Sequence, residues 1–336
     1  MQFDLLREYF CLPRVRPRKK MNGELRLFFQ AFYNIDITRI RENTTFPTFE
    51  EVLGALELAL HREETFRVAG TVWNQYRIRQ CREYVITLIC IVLAAKLGAM
   101  PTGRPNHHSN LVAHLPPNEK TCFISLNYDL LIDNAIRQAN HTPEYGTEFA
   151  NRIEKLGTTV DLYKLHGSLN WLRCPTCGSL THTGNIKGAS YPAEQRQRCE
   201  TSKCKAETIP IVIPPTFFKI MSDFHLQQVW HHAELALLEA HRIFFCGYSL
   251  PDADMHIRYL LKRAEVNRGA TPQVFIISNH SNRPEKALAD KKLENGRYRR
   301  LFREPSKVVY TTLSFEEFAL RGPSEAETFP RETGLD

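Results

Sequence analysis

Hydrophobic and polar positions along the chain repeat with two different periods, and the switch between them predicts most of the elements. Over Phe46–Leu60 (FPTFEEVLGALELAL) apolar residues recur at Val52, Leu53, Leu56 and Leu60, the spacing of an amphipathic helix. Thr48, with Glu51 three residues on, supplies a capping box at its start. A second helix is predicted from about Tyr76 to Leu97, and its centre is apolar all round, as in a helix packed on both sides. From Thr121 the pattern changes. Short apolar runs at Cys122–Leu126, Leu162–Leu165, Ile209–Ile213, Arg242–Cys246 and Gln273–Ile277 predict strands. Helical patterns follow at Leu130–Asn140, Phe224–Ala240 and Ala253–Val266. Apolar strands alternating with helices imply an α/β domain whose mainly parallel sheet is covered on both faces. The stretch Met100–Asn118, rich in Pro, Gly, His and Asn, reads as a loop, and the last fifteen or so residues read as frayed.

Composition narrows the class. A chain of 336 residues with 43% hydrophobic and 24% charged content is neither disordered, collagen-like nor a coiled coil, and suits one large or two medium domains. The net charge of +7 suits nucleic acid or a small anionic ligand. The basic runs, Arg14 to Lys20 and Arg297, Arg299, Arg300 and Arg303, read as solvated faces, which argues against direct nucleic-acid binding. The pairs His107-His108 and His231-His232 lack partners at ligand spacing and read as solvent-exposed. No stretch reaches the length of a membrane span: the nearest, Val85–Ala95, is bounded by Arg82, Glu83 and Lys96. The amino terminus lacks the apolar core of a secretory signal, and nine unevenly placed cysteines suit a reducing cytoplasm with a metal site.

That metal site has a sequence signature. Cys174-Pro-Thr-Cys177 is a C-x2-C knuckle, and Cys199-x4-Cys204 follows it. The segment between them is small and polar and could not bury a core of its own. A tetrahedral zinc joining the two knuckles into a ribbon is the expected stabiliser, and four thiolates would close the site to catalysis. Cys11, Cys81, Cys90, Cys122 and Cys246 sit mostly in apolar contexts and read as core packing. Ligands of parallel sheets bind outside the carboxyl ends of the strands. Four predicted strand ends carry small or polar residues: Asn127 with Asp129, His166 to Ser168, Gly247 to Ser249, and Ser278 with Asn279. Each alone could be a histidine cap, an Asx turn or a tight connection; together they form a candidate pocket.

These segments also carry a resemblance. Ser125-Leu-Asn-Tyr-Asp129, Lys164-Leu-His-Gly-Ser168, the paired cysteine knuckles, Gly247-Tyr-Ser249 and Ser278-Asn279 occur in the order found in sirtuin-like proteins. Over roughly residues 46–285 the chain resembles the bacterial antiphage-defence branch, whose members cleave NAD. Asn-Tyr-Asp followed by Leu-Leu-Ile-Asp is closer to that branch than to the Gln-Asn-Ile-Asp of protein deacylases. The resemblance implies a Rossmann-like domain over residues 1–170 and 207–336, with a helical subdomain at 46–120 and a zinc-ribbon insertion at 171–206. It implies that His166 is catalytic and that Asn127 contacts the nicotinamide ribose and the attacking water. Asp129 would meet the nicotinamide amide, Gly247, Tyr248 and Ser249 the phosphates and ribose, and Ser278 and Asn279 the adenosine ribose. NAD as substrate and one structural zinc per chain follow from it. So do a homo-oligomer and a partner such as a DNA-translocating ATPase or an Argonaute. One departure stands out: the family opens with a strand and a Gly-Ala-Gly-x-Ser loop, whereas the glycines before residue 100, at 23, 54, 70 and 98, are isolated. Against the resemblance, that first strand is missing: either the sequence starts late, or the chain is a divergent or inactive member of the family. The alternatives are an NAD-dependent protein deacylase and a non-catalytic, zinc-containing scaffold of a defence complex.

Overall fold

The capping box forms as its spacing requires. The Thr48 hydroxyl accepts the Glu51 N–H at 3.2 Å, and the Glu51 carboxylate accepts the Thr48 N–H at 2.6 Å. The structure, a computed structural model, describes residues 6, 9, 19–41, 43–68, 70–98, 106–151, 153–183, 198–201, 203–212, 223–252, 254–278, 280 and 287–335. In chain order the first elements are α1 (Lys19–Tyr33), α2 (Phe49–His61), β1 (Phe66–Val68), β2 (Thr71–Trp73), α3 (Gln75–Gly98) and α4 (His107–Ala113). There follow β3 (Cys122–Ser125), α5 (Leu131–Gln138), β4 (Thr142–Glu144), β5 (Thr159–Lys164), β6 (Gly167–Arg173), β7 (Leu180–His182) and β8 (Ile209–Val212). The last are α6 (Phe224–Glu239), β9 (Arg242–Cys246), α7 (Met255–Arg268), β10 (Gln273–Ile277), α8 (Ala287–Leu301), β11 (Val308–Thr311) and α9 (Phe315–Arg321). The chain divides into two units. The first comprises Met1–Met100, Tyr128–Leu130 and His166–Ile220; the second comprises Pro101–Asn127, Leu131–Leu165 and Met221–Asp336.

The first unit packs α1, α2 and α3 with the β1–β2 hairpin around an aromatic and aliphatic core that includes Leu25, Phe28, Phe29, Leu53, Leu56, Trp73 and Ile78. Every residue from Val85 to Cys90 in α3 is buried, as the all-round apolar pattern requires. Arg77 lies 4.6 Å over the Trp73 ring and pairs with Glu24 at 2.8 Å, so its charge is satisfied where its stem is packed. The same unit carries a small antiparallel sheet in the order β7–β6–β8. This corrects two expectations. The segment at Ile209 does form a strand, but it runs antiparallel to β6 instead of joining a parallel sheet, and Ile213 lies outside the described residues. His166 to Ser168 is not a simple strand end. Leu165 and His166 form a turn, and Gly167 opens β6.

The second unit is the parallel α/β part. It holds two three-stranded parallel sheets, β4–β5–β3 and β9–β10–β11. Along β9, Phe244 stacks on Phe275 of β10 at 5.0 Å and meets Phe318 and Phe329 on one face. Phe245, its neighbour, meets Tyr298 and Phe302 on the other face. The alternation of a strand thus buries aromatic rings on both faces, as in a sheet sandwiched by helices. The architecture is α/β, with parallel sheets flanked by helices.

Two more expectations change here. The proline- and glycine-rich stretch 100–118 contains α4, which the Asn106 side chain caps by accepting the Ser109 N–H at 2.7 Å and which buries Leu111 and Val112; residues 100–105 lie outside the described set. The carboxyl-terminal tail is anchored. Phe329 is buried against Phe244, Phe275 and Phe318, and Thr311 bridges Arg331. The basic run from Arg14 to Arg18 lies outside the described residues.

Candidate functional site

In the second unit, three parallel strands end at polar turns. After β3, the Asn127 N–H donates to the Ser125 hydroxyl at 3.2 Å, and Asn127 is exposed. The serine closes this turn. After β9, Gly247 takes φ +64°, a region that glycine enters without strain, and its N–H donates to the Ile277 carbonyl at 3.1 Å. The ends of β9 and β10 are therefore tied together at Gly247 and Ile277, each just before the polar residues that follow its strand. Asn279 lies outside the described residues.

The turn after β9 is held from two helices. The Tyr248 hydroxyl donates to Asp254 at 2.8 Å, and the Tyr248 carbonyl accepts the Tyr298 hydroxyl at 2.5 Å. Burial first, and then the Asp254 carboxylate, push the Tyr248 hydroxyl far above its ordinary pKa, so it stays a donor. Arg258 donates to the Leu250 and Pro251 carbonyls, and Arg297 to the Ser249 carbonyl. One of the basic residues read as solvated thus braces a loop. Behind the β10 turn, the buried Glu294 carboxylate accepts from Tyr310 at 2.7 Å and meets His280 at 2.6 Å. Sequence inspection gave no signal for either arrangement, because their partners lie far apart in the chain.

Deeper in this unit is a buried ion pair. Lys164, at the end of β5 and 0% exposed, donates to Asp133 on α5 at 2.9 Å. The other Asp133 oxygen accepts the Tyr145 hydroxyl at 2.7 Å. A charge this far from water persists only when so paired.

The first unit holds His166, which is 3% exposed, and Tyr128, whose ring centroid lies 6.2 Å from the imidazole. Asp129, beside Tyr128, is half-buried. Gly167 fixes the backbone after the histidine. Its φ is +82°, and a Cβ there would lie 2.1 Å from the Ile211 carbonyl oxygen, so no other residue fits without displacing β8. A cavity of about 490 Å³ in this unit, lined by Tyr33, Ile35, Thr45, Phe46, Pro47 and Glu51, gathers none of the residues expected in catalysis.

The same unit brings together the four sequence-predicted cysteines. The Sγ atoms of Cys174, Cys177, Cys199 and Cys204 all lie within 4.8 Å of one another, with Cys174–Cys204 at 3.5 Å and Cys177–Cys199 at 3.6 Å. A tetrahedron of thiolates about 2.3 Å from zinc has edges of about 3.8 Å. The residues present therefore fit the ion. Ser179, which the spacing did not flag, lies with its hydroxyl 3.1 Å from Cys177 and 3.3 Å from Cys199. Hydrogen bonds from the Ser179 side chain and backbone hold the Cys177 thiol down to about 6, favouring the thiolate that a metal requires.

The second unit is α/β with polar turns at its strand ends, and the first unit carries the cysteine cluster. A family model described as a SIR2-like domain matches residues 121–296, just over half of the chain, and the chain belongs to that family. A search of curated proteins gives no match. No helix among the described residues is long and apolar enough to cross a membrane.

Proposed function

We propose that this protein is an NAD glycohydrolase that cleaves NAD to nicotinamide and ADP-ribose, acting as an antiphage-defence effector. The observation that carries the reading is His166. It is a buried histidine at the β5–β6 turn, inside the segment that matches the SIR2-like domain, with its backbone fixed by Gly167. Breaking the nicotinamide bond leaves an oxocarbenium-like ribose, which needs an oriented nucleophile more than it needs covalent catalysis. Water adds through its oxygen to the anomeric carbon as the carbon–nitrogen bond breaks. The bond's electron pair leaves with neutral nicotinamide, and the water proton passes to a base. In this reading His166 takes that proton, and the Asn127 carboxamide orients the water through its paired donor and acceptor. Asp129 contacts the nicotinamide amide. The braced turn at Gly247, Tyr248 and Ser249, with Ser278 and Asn279, carries the phosphate and ribose contacts. The cysteine cluster holds one structural zinc.

The test is an NAD-consumption assay on the full chain, alone and with candidate activators, beside His166→Ala and Asn127→Ala. Nicotinamide release that falls at least about a hundredfold in the His166 variant supports the assignment. Equal activity in that variant, or turnover only when an acyl-lysine peptide is supplied, overturns it.

A further inference from the structure

The turns that follow β9 and β10 are held in conformations their residues do not adopt unaided. Leu250 takes φ +49° and His280 φ +52°, a left-handed region that is unfavourable for a residue with a Cβ. Leu250 is moreover fully buried. Strained backbone of this kind persists only where its surroundings hold it.

One helix supplies much of that hold. Glu294, Arg297 and Tyr298 of α8 stand three and four residues apart and so share a face. Glu294, 2% exposed, has a carboxylate oxygen 2.6 Å from His280 Nε2. The same oxygen accepts the Tyr310 hydroxyl at 2.7 Å, which fixes the carboxylate from β11. Tyr298 donates to the Tyr248 carbonyl at 2.5 Å, and Arg297 to the Ser249 carbonyl at 3.3 Å. Burial first, and then the Glu294 carboxylate, raise the Tyr298 hydroxyl well above its ordinary pKa, so it remains a donor.

These bonds are not needed to assemble the sheet. Pairing of β9 with β10 runs from Arg242 with Gln273 to Cys246 with Ile277, and the α8 bonds fall beyond its last pair. They act on the two turns alone. Both turns are thus anchored to a single helix, at points about 6 Å apart along its axis.

We propose that Glu294, through His280, and Tyr298 are positioning residues for nucleotide binding: α8 holds the turns after β10 and β9 as one grip, which closes on the ADP-ribose half of NAD. The inference rests on the NAD reading above and adds to it residues that set affinity without touching the reacting atoms. A ligand that spans both turns feels the loss of either anchor. Chemistry at the nicotinamide bond does not, once the nucleotide is bound.

Calorimetry with ADP-ribose and NAD-consumption kinetics test this on the full chain. Tyr298→Phe and His280→Ala each remove one anchor. Each should weaken ADP-ribose binding about tenfold and raise the KM for NAD to match, while kcat stays within about twofold. Because one helix serves both turns, the double variant should weaken binding by less than about thirtyfold, short of the hundredfold product of independent sites. Unchanged affinity in either single variant, even with a lowered urea midpoint, would overturn the inference and leave the NAD reading standing. So would a fall in kcat at constant KM, or a double variant at the full product. A wild-type chain with no saturable ADP-ribose binding would overturn the NAD reading and this inference with it.

Discussion

The parallel unit and the cysteine-bearing end of the first unit hold themselves together by different physics. The parallel unit buries aromatic rings on both faces of β9 and β10 and needs no ion to do so. The β6–β7–β8 sheet of the first unit ends in a short, polar, cysteine-bearing stretch, where four sulfurs gather instead of a core. Area buried and ion bound are alternative answers to the same loss of chain entropy. The contrast teaches which insults each region should survive.

The largest effect should come from the metal. Chelation, or Cys177→Ser, should release about one zinc equivalent per chain and open residues 171–206 to proteolysis, because structural zinc contributes on the order of 10 kcal/mol to such modules. Metal analysis with limited proteolysis checks this; a metal-free chain that resists cleavage there would erase the contrast. Next comes Asp133→Asn, which strands the Lys164 ammonium without its buried partner. It should cost the parallel unit about 3–5 kcal/mol in urea unfolding and leave zinc content unchanged.

Alkaline titration should separate the units less sharply. Burial pushes Cys90 in the first unit and Cys246 in the second up to about 12, above the ordinary thiol value. In the unfolded chain these thiols ionise above about pH 8.5, while in the fold they keep their protons. Stability is therefore fully present below that pH and falls above it, by at most about 1.4 kcal/mol per pH unit for each thiol. Cys246→Ala should flatten that slope in denaturant-midpoint measurements. The smallest expected effect is Thr48→Ala, which removes the α2 cap and should lower thermal stability by about 1 kcal/mol in the first unit alone.

Local rules made much of this legible in the sequence. The strands at Arg242–Cys246 and Gln273–Ile277 end where their apolar runs end, and the α2 cap sits where Thr48 and Glu51 place it. The cysteine cluster was readable because ligand spacing is a short-range signal. Elements that depend on distant partners were not. Helix α4 hides in a loop-like composition because its stability comes from burying Leu111 and Val112, and the tail is held by rings contributed from β9 and β10. Lys164 read as an ordinary residue of its motif because its partner lies 31 positions away. For the candidate site, the turn positions were evident, whereas the bracing by Tyr298, Arg258 and Arg297 was not.

The Lys164–Asp133 contact also specifies alignment. Shifting β5 by a single residue against β3 would swing the ammonium to the opposite face of the sheet and leave two naked charges in an apolar interior. Misaligned pairings of this strand thereby carry a penalty of buried charge that the native alignment avoids.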